Sequence, residues 1–338
     1  NTLLIYIGGL IMNIKNDESQ SDFFLDDKEF EKTMRKSRRK AIIKNVVITG
    51  SVLIALYSGL TFGSNYLLSE RLTKEHDVEG LWLSITEPNI EQSSSFYKSN
   101  SFSIDATHEY SKKIGDRMIP WETLSGHYNL IRSEIGSSGS ITHYNEKRKA
   151  FEIFNNQNGQ RELIFYHPEV QYQQPPNDLN LLDEIGINKY VEYALSFDRP
   201  YSFSEVQKLL DKQNTDWLWI ETESDEEIHS MNQKELKEGE EGETFLRGNI
   251  YGYQYNSQND WASPKFFIDT LKSPELYGDH ADKAKKVLKR LKKDNPKLDS
   301  EKVKIVGAVV SGTPDELKKY QNKNFIRASS LGATIDKY

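Results

Sequence analysis

The side chains that most often carry chemistry are scattered along this chain rather than grouped. Its histidines are His76, His108, His127, His143, His167, His229 and His280. No two of them sit at the i, i+4 spacing with which a helix offers paired ligands to zinc. Cysteine is absent, which excludes thiol nucleophiles and every metal site that needs a thiolate. Ser95-Phe96-Tyr97-Lys98 has the Ser-x-x-Lys spacing of penicillin-binding enzymes, but the companion Ser-Asp-Asn and Lys-Thr-Gly segments are missing. No Gly-rich phosphate loop and no Gly-x-Ser-x-Gly elbow occurs. The pattern predicts no catalytic residue, no metal site and no cofactor, and so a protein that is not an enzyme.

Two further groups could bind rather than react. Lys283, Lys285, Lys286, Lys289, Arg290, Lys292 and Lys293 crowd one predicted helix and could face an anionic wall polymer or solvent alone. Trp217 and Trp219 alternate as on a strand and read as core.

The elements that must position any function begin with a segment of another kind. Charged residues make up 28% of the chain, yet residues 45–69 contain none. About 20 such residues in a helix cross a hydrocarbon core of roughly 30 Å. The stretch is too long for a signal peptide and lacks a small-residue cleavage site. Lys32, Arg35, Lys36, Arg38, Arg39, Lys40 and Lys44 precede it, whereas Glu70, Arg71, Lys74, Glu75 and Asp77 follow it with mixed sign. The positive-inside bias then places residues 12–44 in the cytoplasm as a tail with a basic helix, and the bulk of the chain outside the cell membrane. Arg35, Lys36, Arg38, Arg39, Lys40 and Lys44 are the orientation-setting residues. Gly59 and Gly63 have the GxxxG spacing at which membrane helices pack, with a second copy or another membrane protein.

The chain starts at Asn1, and Gly8-Gly9 stands just before Met12 in the way a translated ribosome-binding site would. Residues 1–11 are therefore expected to be an upstream segment. After a polar run, Asp26 and Glu29 form a capping-box pattern, flanked by Leu25 and Phe30 as a hydrophobic staple. Phe30, Met34, Ser37 and Ala41 share a helical face.

Beyond the apolar stretch, residues 70–177 read as strand-rich. Strands are expected at 78–86, 102–106, 150–154 and 162–166, with a loop at 136–140. Gln173-Gln174-Pro175-Pro176-Asn177 is linker-like and marks a soft boundary. Residues 178–338 repeat one order twice. A strand at 190–197, a Ser202-x-x-Glu205 capped helix and a strand at 216–221 are matched by a strand at 304–310, a Thr313-x-x-Glu316 capped helix and a strand from 325. Two βαβ units in one region suggest a ferredoxin-like split arrangement, hence an α+β fold behind a single membrane helix. Between the units, residues 221–243 read as a flexible acidic insertion and residues 279–293 as an amphipathic helix with Val287, Leu288 and Leu291 inward. An exported region without cysteine favours a Gram-positive bacterium.

Three stretches carry a family resemblance. Arg35-Lys36-Ser37-Arg38-Arg39-Lys40 leading into the span resembles the N-terminal module of the bacterial sigma factor regulators. Asn188-Lys189-Tyr190-Val191-Glu192-Tyr193-Ala194-Leu195-Ser196-Phe197-Asp198, with Tyr201 and Glu205, is similar to their C-terminal module, as is Phe325-Ile326-Arg327-Ala328-Ser329-Ser330-Leu331-Gly332-Ala333-Thr334. The resemblance implies a membrane-anchored anti-sigma factor. Its cytoplasmic part would hold an extracytoplasmic-function sigma factor, its outer domain would respond to envelope stress, and it would touch no nucleic acid directly. The zinc-binding His and Cys motif of many other anti-sigma domains is absent. Phe24, Leu25, Phe30 and Met34 are the candidate sigma-binding residues. The alternative is a wall-associated binding or adhesion protein whose inner tail is only an anchor.

Overall fold

In a computed structural model of the chain, residues 27–233, 242–255 and 263–338 are described. The expected upstream segment, the Asp26 cap and the staple residue Leu25 lie outside them. The first element, α1 (Asp27–Thr86), is a single helix of 60 residues. It is straightforward to see why it does not stop: no proline occurs between Asp27 and Thr86, and its glycines stand singly in a continuous helical pattern. It ends where Pro88 and the left-handed Asn89, φ 60°, turn the chain.

The strand expected at 78–86 is thus the last turns of α1. Leu81, Leu83 and Ile85 recur at a period of two, but Val78, Trp82 and Ile85 recur at helical spacing, and helix continuity decides in favour of the second period. Of these, Val78, Trp82 and Ile85 are buried in the main core.

Four antiparallel strands follow as a meander: β1 (Ile90–Ser99), β2 (Ser103–Ile114), β3 (Arg117–Asn129) and β4 (Ser133–Ile135). A small hairpin, β5 (Ser140–Asn145) with β6 (Ala150–Asn155), comes next. The segment 162–166, expected as a strand, is extended and buried but joins no ladder. Its backbone is satisfied one group at a time, by Ser330 Oγ at Ile164 N–H, Ser196 Oγ at Tyr166 N–H, and a bridge between Phe165 and Phe245.

The rest builds around a five-stranded sheet. Its elements are β7 (Lys189–Ser202), α2 (Phe203–Leu209), β8 (Thr215–Ile220), α3 (Asp225–Asn232), β9 (Gly252–Gln254), α4 (Pro264–Leu271), α5 (Gly278–Asp294), β10 (Lys304–Gly312), α6 (Pro314–Leu317) and β11 (Ile326–Asp336). The strand order is β11-β7-β10-β8-β9, with every pairing antiparallel. Both strand–helix–strand stretches lie in this sheet, and β7 runs beside β10. The capping boxes at Ser202/Glu205 and Thr313/Glu316 are formed as expected.

Both faces of this sheet are covered, which is why its central strands read as nearly continuous apolar runs. One face meets Val78, Trp82 and Ile85 of α1 together with α2, α4 and α5. The other carries Trp217 and Trp219, fully buried against Leu163, Phe165 and Phe245, so the two tryptophans are core. Trp219 fits because Gly307 crosses it without a side chain; a Cβ there would fall 2.9 Å from the indole.

The acidic insertion contains α3, capped by Ser224 and Glu227. It is held by charge: Arg290 pairs with Glu227, and Lys293 with Asp225 at 2.8 Å. Part of the basic face of α5 is therefore occupied by α3 rather than open. Val287 is buried and Leu288 and Leu291 pack on the core, as the amphipathic pattern required.

Candidate functional site

The N-terminal end of α1 presents its sequence-predicted residues without cover. Phe30 is 56% exposed and Met34 42%; Phe24 and Leu25 lie outside the described residues. Arg35, Lys36, Arg38, Arg39, Lys40 and Lys44 are all exposed, with Arg35 reaching Glu31 one turn back at 3.4 Å. The apolar stretch that follows has a mean hydropathy of 1.8 over its most apolar window, none of which is buried. Val47, Leu53, Ile54 and Leu60 are each at least half exposed. A helix exposing apolar residues all round has no stable place in water. Around Gly59 and Gly63 a Cβ would meet nothing within 4 Å, so the small-residue face is open.

Past Ser64 the same helix becomes a buried element. Leu68, Val78, Trp82 and Ile85 are 5% exposed or less. Trp82 meets Tyr251 edge-on at 5.9 Å and lies tilted on His280 at 4.7 Å. Arg71 donates to the Asn129 carbonyl at 2.9 Å and to Glu75 at 2.7 Å. Just beyond the helix, Glu87 joins Glu122 and Glu162 around one guanidinium, that of Arg247, at 3.3, 2.7 and 3.3 Å. Burial pushes the Glu87 carboxyl up to about 7 against the pull of Arg247.

A second buried pair ties the meander to the large sheet. Lys112 of β2 and Glu192 of β7 meet at 2.7 Å with almost no exposure. Lys112 Nζ also lies 4.2 Å from the centre of the Trp121 ring, and Asn89 donates to Glu192 at 3.2 Å. Burial raises the proton affinity of Glu192, and Lys112 opposes it. Such a pair adds little net stability but is costly to break from one side.

Beside the docked part of α1 lies a cavity of about 230 Å³, walled by α1, the meander and the start of α5. Leu72, Glu75 and Glu79 face it from the helix, Tyr110 and Tyr128 from the meander, and Tyr277 and His280 from α5 and its preceding residue. Tyr128 reaches in because its ring folds over the bare Cα of Gly126, where a Cβ would come within 2.6 Å of the ring. Its hydroxyl meets His108 Nε2 at 2.9 Å. Burial lowers the proton affinity of His108, and Ser95 Oγ and Gln92 approach its other ring nitrogen at 2.9 and 3.0 Å. Ser95 therefore has a histidine partner that its spacing to Lys98 did not suggest. The far side of that ring faces a phenol, however, not the carboxylate that orients the base of a serine triad.

One further cluster could hold a metal by composition. His167, Glu221 and Glu223 place ligand atoms within 4.8 Å of one another. Burial, reinforced by Glu221, pushes Glu223 up to about 7. His167 Nδ1 accepts from the Glu169 N–H at 3.2 Å, which leaves the proton on Nε2, hydrogen-bonded to Glu221 at 2.8 Å. The cluster is closed on itself, and a cation would have to displace that proton. Fifty-four residues separate His167 from Glu221, so no local spacing could have disclosed the pairing.

These features define an α+β unit that carries, among the described residues, one helix long and apolar enough to cross a membrane. Comparison with known families is specific about the rest. The sigma factor regulator N-terminal module matches residues 31–119, and the sigma factor regulator C-terminal module matches residues 182–333. The chain belongs to the sigma factor regulator family. Membership supports an anti-sigma role in general terms, with a sigma factor as partner. No curated protein and no solved structure matches the chain. The N-terminal match begins at Glu31, just after Phe30, and takes in Met34, the basic cluster, the apolar stretch, the docked turns and the first strands of the meander.

Proposed function

We propose that this protein is a single-span anti-sigma factor that sequesters an extracytoplasmic-function sigma factor at the inner face of the membrane and relays envelope stress to it. Residues 12–44 form the cytoplasmic tail, 45–69 the span, 70–177 the first outer region and 178–338 the regulatory α+β domain, which we read as a split βαβ arrangement with β9, α4 and α5 inserted. The basic cluster from Arg35 to Lys44 holds the tail inside.

The observation that carries this reading is the continuity of α1. One unbroken helix bears the exposed Phe30 and Met34, the apolar stretch, and Val78, Trp82 and Ile85 locked in the outer core. A helix that continues from the recognition residues into the folded domain is the simplest device for linking outside to inside. On the inner side, Phe30 and Met34 recur at i, i+4 with Phe24 and Leu25 just before them, which suits a helix laid into a groove of the sigma factor. Burying them there hides a surface the sigma factor needs for RNA polymerase.

The test is the double change Phe24→Ala and Phe30→Ala in the full chain. The variant is expected to stay in the membrane, lose co-purification with its sigma factor and switch on the dependent genes. Unchanged repression with both rings gone would contradict the sigma-binding assignment and favour an anchor-only tail. A reporter fused after Tyr338 that is active only in the cytoplasm would contradict the orientation.

A further inference from the structure

We infer that the cavity beside α1 is a binding site for an alkylammonium group, a positively charged amine presented on a short apolar stem. This goes beyond the sigma-factor reading and does not depend on it, because the site lies wholly within the outer unit.

The walls select for that chemistry. No lysine or arginine lines the cavity, whereas Glu75, Glu79 and Asp279 do. Glu75 is already engaged, by Arg71 and by Ser133 Oγ at 2.7 Å each. Among the described residues Glu79 has only a histidine, His280 Nε2 at 3.2 Å, and of the two carboxylates left for a cation, Glu79 and Asp279, it is the less exposed. With its proton on Nε2 toward Glu79, His280 leaves Nδ1 as a lone pair, and that atom is buried without a partner. Tyr110 is 5% exposed, lines the cavity, and its hydroxyl makes no hydrogen bond among the described residues. A carboxylate and an unpartnered phenol oxygen are acceptors waiting for donors. An ammonium offers three donors and no acceptor.

The remaining walls suit the stem and the charge together. Tyr97, Tyr110, Tyr128 and Tyr277 surround the space, and Leu72, Val78 and Ile135 complete it. Aromatic faces attract a cation that has left water, and they do so without fixing its identity. At ~30 Å³ per liquid water, the volume corresponds to about seven or eight waters, room for a small amine and not for a folded partner.

Place adds a functional meaning. Leu72 and Glu75 follow the last residue of the uncharged stretch, Ser69, within two helical turns. A ligand held by Glu79 would touch α1, the meander and α5 at once, so the membrane helix itself would read its presence. The ammonium could come from a soluble amine or from the headgroup of an amine-bearing lipid in the adjoining leaflet; both offer the same chemistry.

The experiment uses the full chain in phosphatidylglycerol nanodiscs, titrated with n-butylammonium chloride and followed by tryptophan fluorescence and calorimetry. Saturable binding is expected, absent with n-butanol, and weakened about tenfold or more by Glu79→Gln and several-fold by Tyr110→Phe. Anionic lipid concentrates any cation at the surface, and the two variants in identical discs separate that effect from the site. Repeating the titration in discs containing phosphatidylethanolamine distinguishes the sources. Competition by the lipid assigns the site to a headgroup, and undiminished butylammonium binding assigns it to a soluble amine; either supports the inference. Equal binding of butanol, no saturable binding in phosphatidylglycerol discs, or binding untouched by both Glu79→Gln and Tyr110→Phe would overturn it. Loss of sigma-factor capture by the Phe24/Phe30 variant would leave these results unchanged, so the two readings fail separately.

Discussion

Two stretches of α1 arrange their apolar residues differently and meet opposite fates. Between Ile42 and Leu67, valines, isoleucines and leucines point outward with half or more of their surface bare. Between Leu68 and Ile85, Leu68, Val78, Trp82 and Ile85 of the same helix are buried and Leu72, Leu81 and Leu83 partly so. The docked stretch is amphipathic, with Glu70, Lys74 and Asp77 exposed on the side away from the core; the stretch before it is apolar all round. A one-sided stripe asks for a protein surface and an unbroken apolar cylinder asks for lipid. The lesson is that the distribution of apolar residues around the axis, and not their number alone, decides a helix's solvent.

The comparison can be broken most forcefully from the protein side. Trp82→Ala should cost about 3–5 kcal/mol of outer-unit stability, since it empties a core position and removes the contacts to Tyr251 and His280. The melting temperature of the full chain in nanodiscs should fall while membrane association is retained. If Trp82 instead governed anchoring, the division of α1 into two solvents would be wrong.

The reciprocal change is Leu53→Arg, at a position 60% exposed. A charge at the middle of a span costs about 2.5–3.5 kcal/mol of insertion. Fractionation should show the protein leaving the membrane, with the outer unit's near-ultraviolet circular dichroism intact in the soluble fraction. Unaltered membrane recovery would count against the span.

The third expectation comes from the buried acids that surround the docked end. Burial holds Glu87, Asp216 and Glu223 at about 7, against 4.5, 3.8 and 4.5 in an unstructured chain. Between those values the folded protein carries protons that the unfolded chain has lost, so stability falls as pH rises through that window. Buried His108 acts in the other direction below about 6.5, where unfolding would let it take a proton. Three carboxyls outweigh one imidazole, and the melting temperature should be a few degrees higher near pH 5.5 than near pH 8. A flat profile, or one that rises with pH, would show that these carboxyls are more hydrated than their surroundings indicate.

How much of this was legible in the sequence follows from range. The capped helices at Ser202 and Thr313, the strands at 190 and 304, and the apolar stretch were all readable, because each is specified by neighbours within a turn or two. The last turns of α1 were misread because Leu81, Leu83 and Ile85 fit a period of two while Val78, Leu81, Trp82 and Ile85 fit one of 3.6 over the same short window. Segment 162–166 was misread because an apolar run says that a chain is buried, not that it finds a ladder partner. Helix α3 was overlooked behind its acidity; its capping box at Ser224 and Glu227 was the available signal. The cavity, the Lys112–Glu192 pair and the His167 cluster were out of reach, since each joins residues dozens of positions apart.

The smallest expected effect calibrates the others. Ser202→Ala removes the cap of α2, whose oxygen accepts from the Glu205 N–H, and should cost about 1 kcal/mol. It lies away from the docked turns and from the apolar stretch alike. A small drop in melting temperature with normal membrane recovery and normal repression is expected, and a larger one would mean that α2 supports the docked end of α1.

The central claim is that the uncovered inner end of α1 is a protein-binding helix. It is tested most directly by replacing Phe30 with a photo-crosslinking phenylalanine analogue in the full chain and irradiating intact cells. The account predicts one dominant adduct containing a sigma factor, lost when the analogue is moved to Tyr338 at the outer end. Crosslinks to lipid alone from position 30, with the sigma factor recovered free, would contradict it.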